Sequence, residues 1–556
     1  MKFLGNVLAV IVGLFAFSIV ALLIVFALLG MIAASSEEEV TLEKNSILHL
    51  DLNGRTLVER TSEEDLVFGS FLDPLGGDNS AGLANLKKAI AEAKTNENIK
   101  GIYLNAGLFG AGQAGLLELR EALQDFKESG KFIIAYDEAY SEGGYFLASV
   151  ADEIYLNPLG GIDFNGFSSE GIFLKGFFEK VGIKPEVFRV GEFKSAVEPF
   201  ILDKMSPENR LQTQYFLDDI NRHAIDLIAE SRKIAKDSLI RINNQMLVRK
   251  PKDAVTYKLA TALKYEDEVH SILKEKLGLK EEDQISTINA TDLGGLAKSK
   301  NISSANRIAV ILAAGDIVDG NVEGAISSEK FAKEIRKARK DDNIKAIVLR
   351  VNSPGGSALA SDVIWREVSL AKKEKPVVVS MGDVAASGGY YIACNANKVF
   401  ANASTITGSI GVFSIFPNIE SFLKNKIGIT TDRVKTGPYA DMGSMDRALT
   451  EPEKRFLQAS TDSIYNTFKT RVSEGRKKDM VYVDSIAQGR VWTGTRGMSV
   501  GLVDEIGTLS DAIKAAAAMA KVKSYKLKEY PEKKNILEQL FNNYKRTVSL
   551  HLIESE

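Results

Sequence analysis

Two hydrophobic spacings alternate along most of the chain. Short unbroken apolar runs, such as "SILHL" and "RIAVILAA", stand between longer stretches whose apolar residues recur every three or four positions. The runs predict strands at 46–54, 101–104 and 132–136, and again at 307–318, 346–351 and 377–380. The longer stretches predict helices at 83–94 and 116–129, and again at 328–340 and 358–373. The strand runs lack polar alternation, which suits strands covered on both faces. Strands alternating with helices of this length imply an α/β fold with a largely parallel sheet.

One stretch follows neither spacing. From Phe3 to Ser36 there is no charge, and Leu8–Ile32 is almost wholly apolar. At about 1.5 Å per residue it would reach roughly 38 Å, enough for a ~30 Å hydrocarbon core with some tilt. It is too long for the apolar region of a cleaved signal peptide. The expectation is one uncleaved N-terminal transmembrane helix. Lys2 before it and Glu37–Glu39 after it favour the rest of the chain lying outside the cytoplasm.

The predicted elements occur twice because the chain repeats itself. "NENIKGIYLN" (96–105) matches "DDNIKAIVLRVN" (341–352), and "SEGGYFLASVADEIYLN" (141–157) matches "ASGGYYIACNANKVFAN" (386–402). "VGIKPEVFRVGEFKSAVEPF" (181–200) matches "IGITTDRVKTGPYADMGSMD" (427–446). The first two blocks place Asn98 with Asn343, Glu142 with Ser387 and Asn157 with Asn402; the third places Gly182 with Gly428 and Gly191 with Gly437. Three blocks in one order at nearly one separation mark a tandem duplication. The expected organisation is an anchor and flank at 1–40, a first repeat at 46–290, a second at 305–530 and a helical tail at 531–556. A polar link, 286–307, joins the repeats.

Composition narrows the chemistry. The 556 residues carry a net charge of −3 with 45% hydrophobic and 26% charged residues. That is globular, with no basic field for nucleic acid. One cysteine, Cys394, excludes an internal disulfide and a Cys-rich zinc site. The four histidines, His49, His223, His270 and His551, form no metal-binding spacing. No metal and no cofactor are expected.

Two Gly-rich loops of the second repeat carry candidate chemistry. "RVNSPGGSALAS" (350–361) and "DVAASGGYYIA" (383–393) each join a strand to a helix. Ligands of such folds sit at the carboxyl ends of the strands, near free helix N–H groups. Gly355 and Gly356 allow close backbone approach, and the N–H of Gly388 is a further donor toward an oxyanion. Ser387 is the candidate nucleophile. Each feature has a plainer reading: a simple turn for "NSPGG", a helix cap for Ser387.

A serine hydroxyl needs a base. No histidine lies between His270 and His551, so a lysine desolvated toward a pKa of about 7–8 is the alternative. The duplication points to Lys194 in "VGEFKSAVEPF". Its counterpart by spacing is Ala440, whereas the counterpart of Ser387 is Glu142. One copy keeps the lysine and lacks the serine; the other does the reverse. Without the duplication, Lys194 reads as an ordinary surface lysine. The pattern leaves open whether the two residues meet within one chain.

These residues resemble signal peptide peptidase A in its long, duplicated bacterial form. The resemblance rests on "GEFKSAVEPF", "MSPENR", "VNSPGGS", "ASGGYYIA", "TGSIGV" (407–412), "GRVWTG" (489–494) and "GLVDEIG" (501–507), with the N-terminal anchor. It implies two Clp-protease/crotonase-like spiral domains behind one transmembrane helix. It implies a Ser/Lys-dyad serine endopeptidase of the cytoplasmic membrane, facing outward, that degrades signal peptides left after preprotein processing. Carried over by position, Ser387 is the nucleophile, Lys194 the general base, and Gly355, Gly356 and Gly388 the oxyanion region. Ser409 would orient the lysine. The resemblance further implies a homotetramer. The competing classes are a membrane-tethered crotonase-like enzyme acting on acyl thioesters and a non-catalytic oligomeric scaffold.

Overall fold

The computed structural model describes residues 5–6, 10–20, 42–60, 79–296 and 304–532. Residues 10–20 are helical, with apolar side chains such as Phe15 and Phe17 exposed. Among the described residues no helix is long and apolar enough to cross a membrane. The rest of the expected anchor, including 21–32, lies outside the described residues, as does the expected tail beyond 532.

Two sheets organise the molecule. The first is built from β1 (Ser46–Asp51), β2 (Ile99–Asn105), β3 (Phe132–Tyr140), β4 (Glu153–Ile162), β6 (Ala262–Leu263) and β7 (Thr287–Asn289). Its order is β6-β4-β3-β2-β1-β7, parallel throughout. Between its strands run helices α1 (Leu83–Thr95), α2 (Gln113–Lys127) and α3 (Glu142–Ala148). β5 (Lys184–Val190), which lies outside this sheet, is preceded by α4 (Lys175–Val181) and followed by α5 (Pro207–Arg232).

The second sheet repeats the plan with β8 (Arg307–Ala314), β9 (Ile344–Ser353), β10 (Val377–Ala386), β11 (Lys398–Ala401), β12 (Ile406–Gly408), β14 (Val491–Thr493), β15 (Glu505–Ile506) and β16 (Lys526–Tyr530). Its main path is β14-β12-β10-β9-β8-β16, with β11 between β10 and β15. Only the β12–β14 pair is antiparallel. Helices α7 (Ser328–Lys340), α8 (Ala358–Glu374) and α9 (Gly388–Ala393) match α1, α2 and α3. β13 (Val412–Asn418) and α10 (Glu451–Arg476) complete this half.

Both sheets are covered on both faces, as the unbroken apolar runs imply. In β1 and β2, Leu48, Leu50, Ile102 and Leu104 pack under the α1–α2 layer, while Ile47 and Tyr103 face a second cluster with Val269 and Leu273. Each such side chain taken from water contributes roughly 1.5–3 kcal/mol. In the second half Ile311, Leu349 and Val379 share one cluster and Ile308, Val348 and Val378 the other.

The first part of the stretch expected as a polar link is structured, and 297–303 lie outside the described residues. β7 pairs with β1, and helix α6 (Ala290–Leu296) buries Leu293 in the first core. β16 holds the same place beside β8 in the second unit. Polar composition hid these elements, since β7 buries one residue in three.

One strand crosses between the halves. β5 pairs antiparallel with β13, from Val190 opposite Val412 to Lys184 opposite Asn418. The charge-bearing run "KPEVFR" gives a weak strand signal on its own; the partner strand from the other half supplies its hydrogen bonds.

Candidate active site

The β5–β13 ribbon brings Lys194 across the junction. Beyond β5 the chain turns at Gly191, and Lys194 stands just before a short helical turn, Ser195–Val197. Lys194 is 4% exposed. Its Nζ lies 3.1 Å from the Oγ of Ser387, 3.1 Å from the Oγ of Ser409 and 3.4 Å from the Ser409 carbonyl. The Phe413 ring centroid is 5.7 Å away. Burial pushes the Lys194 amine down from 10.5 to about 8. A free amine in this position can accept a proton from the Ser387 hydroxyl.

Ser387 sits at the sharp turn between β10 and α9, with φ 53° and ψ −119°. A residue with a Cβ held at positive φ is strained, and such strain collects at sites where a side chain must be presented. Its amide donates to the Gly408 carbonyl at 2.9 Å. Its hydroxyl makes no capping bond to α9. The helix-cap reading of Ser387 therefore fails on geometry. Ser409 also has positive φ, 50°, and its amide donates to the Arg490 carbonyl at 2.8 Å.

Gly355, Gly356 and Gly388 line the same cleft as Ser387. Gly355 and Gly356 have φ 105° and 151°. A Cβ at Gly355 would meet the Gly388 nitrogen at 2.6 Å and the Ser387 Cβ at 2.8 Å; one at Gly388 would lie 3.2 Å from the Gly356 nitrogen. Only glycine permits this approach. The Gly355 N–H donates to Ser353 Oγ at 3.1 Å. Gly356 and Gly388 are thus the better placed donors of the three, and Gly355 supplies shape.

The cleft holds about 690 Å³. Tyr391, Leu457, Ile464 and Phe468 form an apolar wall, the last three from α10. Val412 lines it, whereas Ala385 and Ala386 are buried in β10.

In the first half the corresponding place is filled. The Glu142 carboxylate accepts from the amides of Asn165 at 3.0 Å and Gly166 at 3.1 Å. Ala440 lies in an exposed turn. Lys194 and Ser387 meet within one chain.

Sequence reasoning passed over the groups that hold the lysine. The Phe193 amide donates to the Gln488 carbonyl, and Gln212 reaches the backbone on both sides of the junction. These contacts join distant segments, so no local pattern marks them.

Comparison with known proteins gives the family. The profile of peptidase family S49 matches residues 125–280 and 369–523, and that of Clp protease matches 303–407. The chain is 38% identical to Protease 4 of Salmonella typhi over 88% of its own length and 80% of the relative's. It is 34% identical to the chloroplastic serine protease SPPA of Arabidopsis thaliana, covering 82% and 68%. It is 33% identical to a putative signal peptide peptidase SppA of Enterococcus faecium, covering 41% and 68%. On its sequence and its duplicated α/β fold, the chain belongs to peptidase family S49 and is a serine endopeptidase.

Proposed function

We propose that Ser387 and Lys194 are the catalytic pair and that the enzyme cleaves apolar peptides, signal peptides in particular. The observation that carries this reading is the buried amine 3.1 Å from the strained Ser387 hydroxyl. Neutral Lys194 takes the hydroxyl proton as Ser387 Oγ attacks a peptide carbonyl. The oxyanion accepts from the N–H groups of Gly356 and Gly388. The intermediate collapses, the C–N bond breaks, and the leaving amine takes the proton from Lys194. Water, deprotonated by Lys194, then attacks the acyl carbon, the bond to Ser387 Oγ breaks, and Oγ takes the proton back from Lys194. The apolar wall of Tyr391, Leu457, Ile464 and Phe468 suits the Leu-, Ala- and Val-rich substrate. The uncharged run 3–36 supports a membrane anchor, with the catalytic halves outside the cytoplasmic membrane.

Labelling with a fluorophosphonate tests the pair. Attachment is expected at Ser387 and absent in Ser387→Ala. Lys194→Ala should abolish hydrolysis of a synthetic signal peptide with the fold retained. Labelling that survives Ser387→Ala, or normal turnover in Lys194→Ala, overturns the assignment. A crotonase-like or scaffolding protein would not be labelled at Ser387.

The duplication also supports self-assembly, read as a homotetramer. Within the chain, 412–418 pairs with 184–190. The repeat equivalents of these strands are 167–173 and 430–436, and neither is paired. Gly182 and Gly191 are crowded by Phe422 and Gln488, yet their counterparts Gly428 and Gly437 have nothing within 4 Å. Ile172 and Val434 are exposed. Transferring the register sets Glu170 of one copy opposite Arg433 of the next, a favourable cross-strand charge pair. Such head-to-tail contacts can close into a ring. The pair Ser169→Cys and Val434→Cys should form an intermolecular disulfide, and light scattering should give four copies. A monomer that does not cross-link excludes this contact.

A further inference from the structure

We infer that Gln212 is the positioning residue that holds Lys194 in register with Ser387 and Ser409, an inference that rests on Lys194 acting as the base. Gln212 lies on α5 of the first half and is 3% exposed. Its Nε2 donates to the Phe193 carbonyl at 3.1 Å and to the Ser195 Oγ at 3.0 Å, one partner on each side of Lys194. Its Oε1 accepts from the Val491 amide at 3.2 Å. A carbonyl only accepts and an amide N–H only donates, so the orientation of the Gln212 side chain is fixed by its partners.

The Val491 contact reaches the other side of the site. β14, which contains Val491, pairs with β12, with Val491 opposite Gly408. The next residue of that chain segment, Ser409, donates its amide to Arg490 and accepts from the Lys194 amine through its Oγ. One primary amide thus ties the lysine backbone from the first half to β14, the strand paired with the one that leads into Ser409. The segment around it closes the clasp. The Phe193 amide donates to the Gln488 carbonyl at 2.9 Å, and Gly489 packs so tightly that a Cβ there would lie 2.6 Å from the Lys194 Cβ. The Arg490 guanidinium lies 4.8 Å from the Phe193 ring centroid and 4.5 Å from that of Trp492.

Two motifs that the catalytic pair leaves unexplained fall into this scaffold. "GRVWTG" supplies the loop from Gly489 onward. In "VEPF…MSPENR", the buried Glu198 carboxylate accepts from Ser206 Oγ at 2.6 Å and Asn209 Nδ2 at 2.9 Å, fixing the first turn of α5 beneath Gln212. The duplication adds an independent argument. α5 and α10 begin after Ser206 and Thr450 and end at Lys233 and Lys477, both with φ 53°. This alignment sets Phe456, 63% exposed, opposite Gln212. The amide stands in the half that keeps the lysine and is missing from the half that lost it.

The test compares Gln212→Leu, Gln212→Glu and Gln214→Leu in the full chain, with Lys194→Ala alongside, by peptide hydrolysis, pH–rate profile and thermal unfolding. Gln214 is the exposed neighbour, bonded only along its own helix to Asp218. A displacement of the base by about 1 Å costs about 100-fold in rate. Gln212→Leu is expected to lose kcat by about that factor with KM little changed, and its acid limb should move to higher pH as water reaches the amine. Gln212→Glu keeps the acceptor for Val491 but loses both donations and adds a negative charge, so its acid limb should also rise. Gln214→Leu should match the parent. If Gln212→Leu does not fold, Gln212→Glu decides. Parental kcat and pH profile in the Gln212 variants overturn the inference, and so does a lowered Tm with an unmoved acid limb. Turnover in Lys194→Ala would instead overturn the base assignment itself.

Discussion

The Nζ of Lys194 stands 3.1 Å from the Oγ of Ser387 across 193 residues of chain, and it arrives on a strand that the other repeat completes. Burial is what lowers the amine, where a neighbouring carboxylate would raise it. That cause makes the pair testable by pH.

Activity should rise with pH along a single acid limb with an apparent pKa of about 8, where Lys194 becomes neutral. The measurement is kcat/KM for a soluble peptide between pH 5 and 10. A limb near 6.5 would point to a histidine instead.

The same amine should cost stability. Its folded-state value is lowered from 10.5 to about 8. Below pH 8 both folded and unfolded chains hold the proton, and the penalty is constant at roughly 3 kcal/mol. Between pH 8 and 10.5 only the unfolded chain binds it, so stability climbs with pH; above 10.5 the penalty is gone. Lys194→Met, of similar length and without charge, should therefore be inactive yet at least as stable at pH 7. The difference in urea midpoint between it and the parent should shrink as pH rises past 8.

Gly489→Ala should lose most activity through the lysine rather than the serine. The new Cβ would meet the Lys194 Cβ, Cα and N at 2.6–2.7 Å, and Gly489 already has φ 74°. Backbone on both sides must give. Turnover should fall by about 100-fold or more while Ser387 keeps its place in β10–α9. Peptide hydrolysis together with a thermal melt checks this.

How far the site could be read from sequence depended on where each contact lies. Ser387 stood out because its turn is local, a strand run followed by "ASGG". Lys194 has no local signal; it was reached only because Ala440 and Glu142 show which copy lost what. Ser409 came through "TGSIGV", and the structure adds its bond to the amine. Gln212 and the Gln488 carbonyl were invisible, since their role exists only once α5 and β14 are docked. In the fold, β9, α7 and α8 follow the apolar pattern closely, β10 runs on from the predicted 377–380 to Ala386, and β5 and β7 are held by partner strands that no spacing reveals.

The junction beneath the site carries the last prediction. Arg350, 1% exposed, sits on β9 just before the loop that carries Gly355 and Gly356. Its Nη1 lies 2.7 Å from Glu118 Oε1, on α2 of the first half, and its Nη2 lies 2.8 Å from Glu59 Oε1. Glu118 also pairs with Lys87 at 2.5 Å. Burial pushes the Glu118 carboxyl up, and the charges of Arg350 and Lys87 more than reverse this, holding it below 4.5. Glu118→Ala takes one of two carboxylates from the buried Arg350 and should cost about 3–5 kcal/mol. Glu118→Gln keeps an acceptor for Arg350 and should cost less. The sign with pH follows from the depressed carboxyl: its contribution is present above the unfolded value and is lost as pH falls through the folded one. Urea midpoints of the parent and Glu118→Ala should therefore converge in acid. A Glu118→Ala midpoint equal to the parent's at pH 7 would mean that water reaches the Arg350 guanidinium, and that the two halves are not locked beneath the active-site loop.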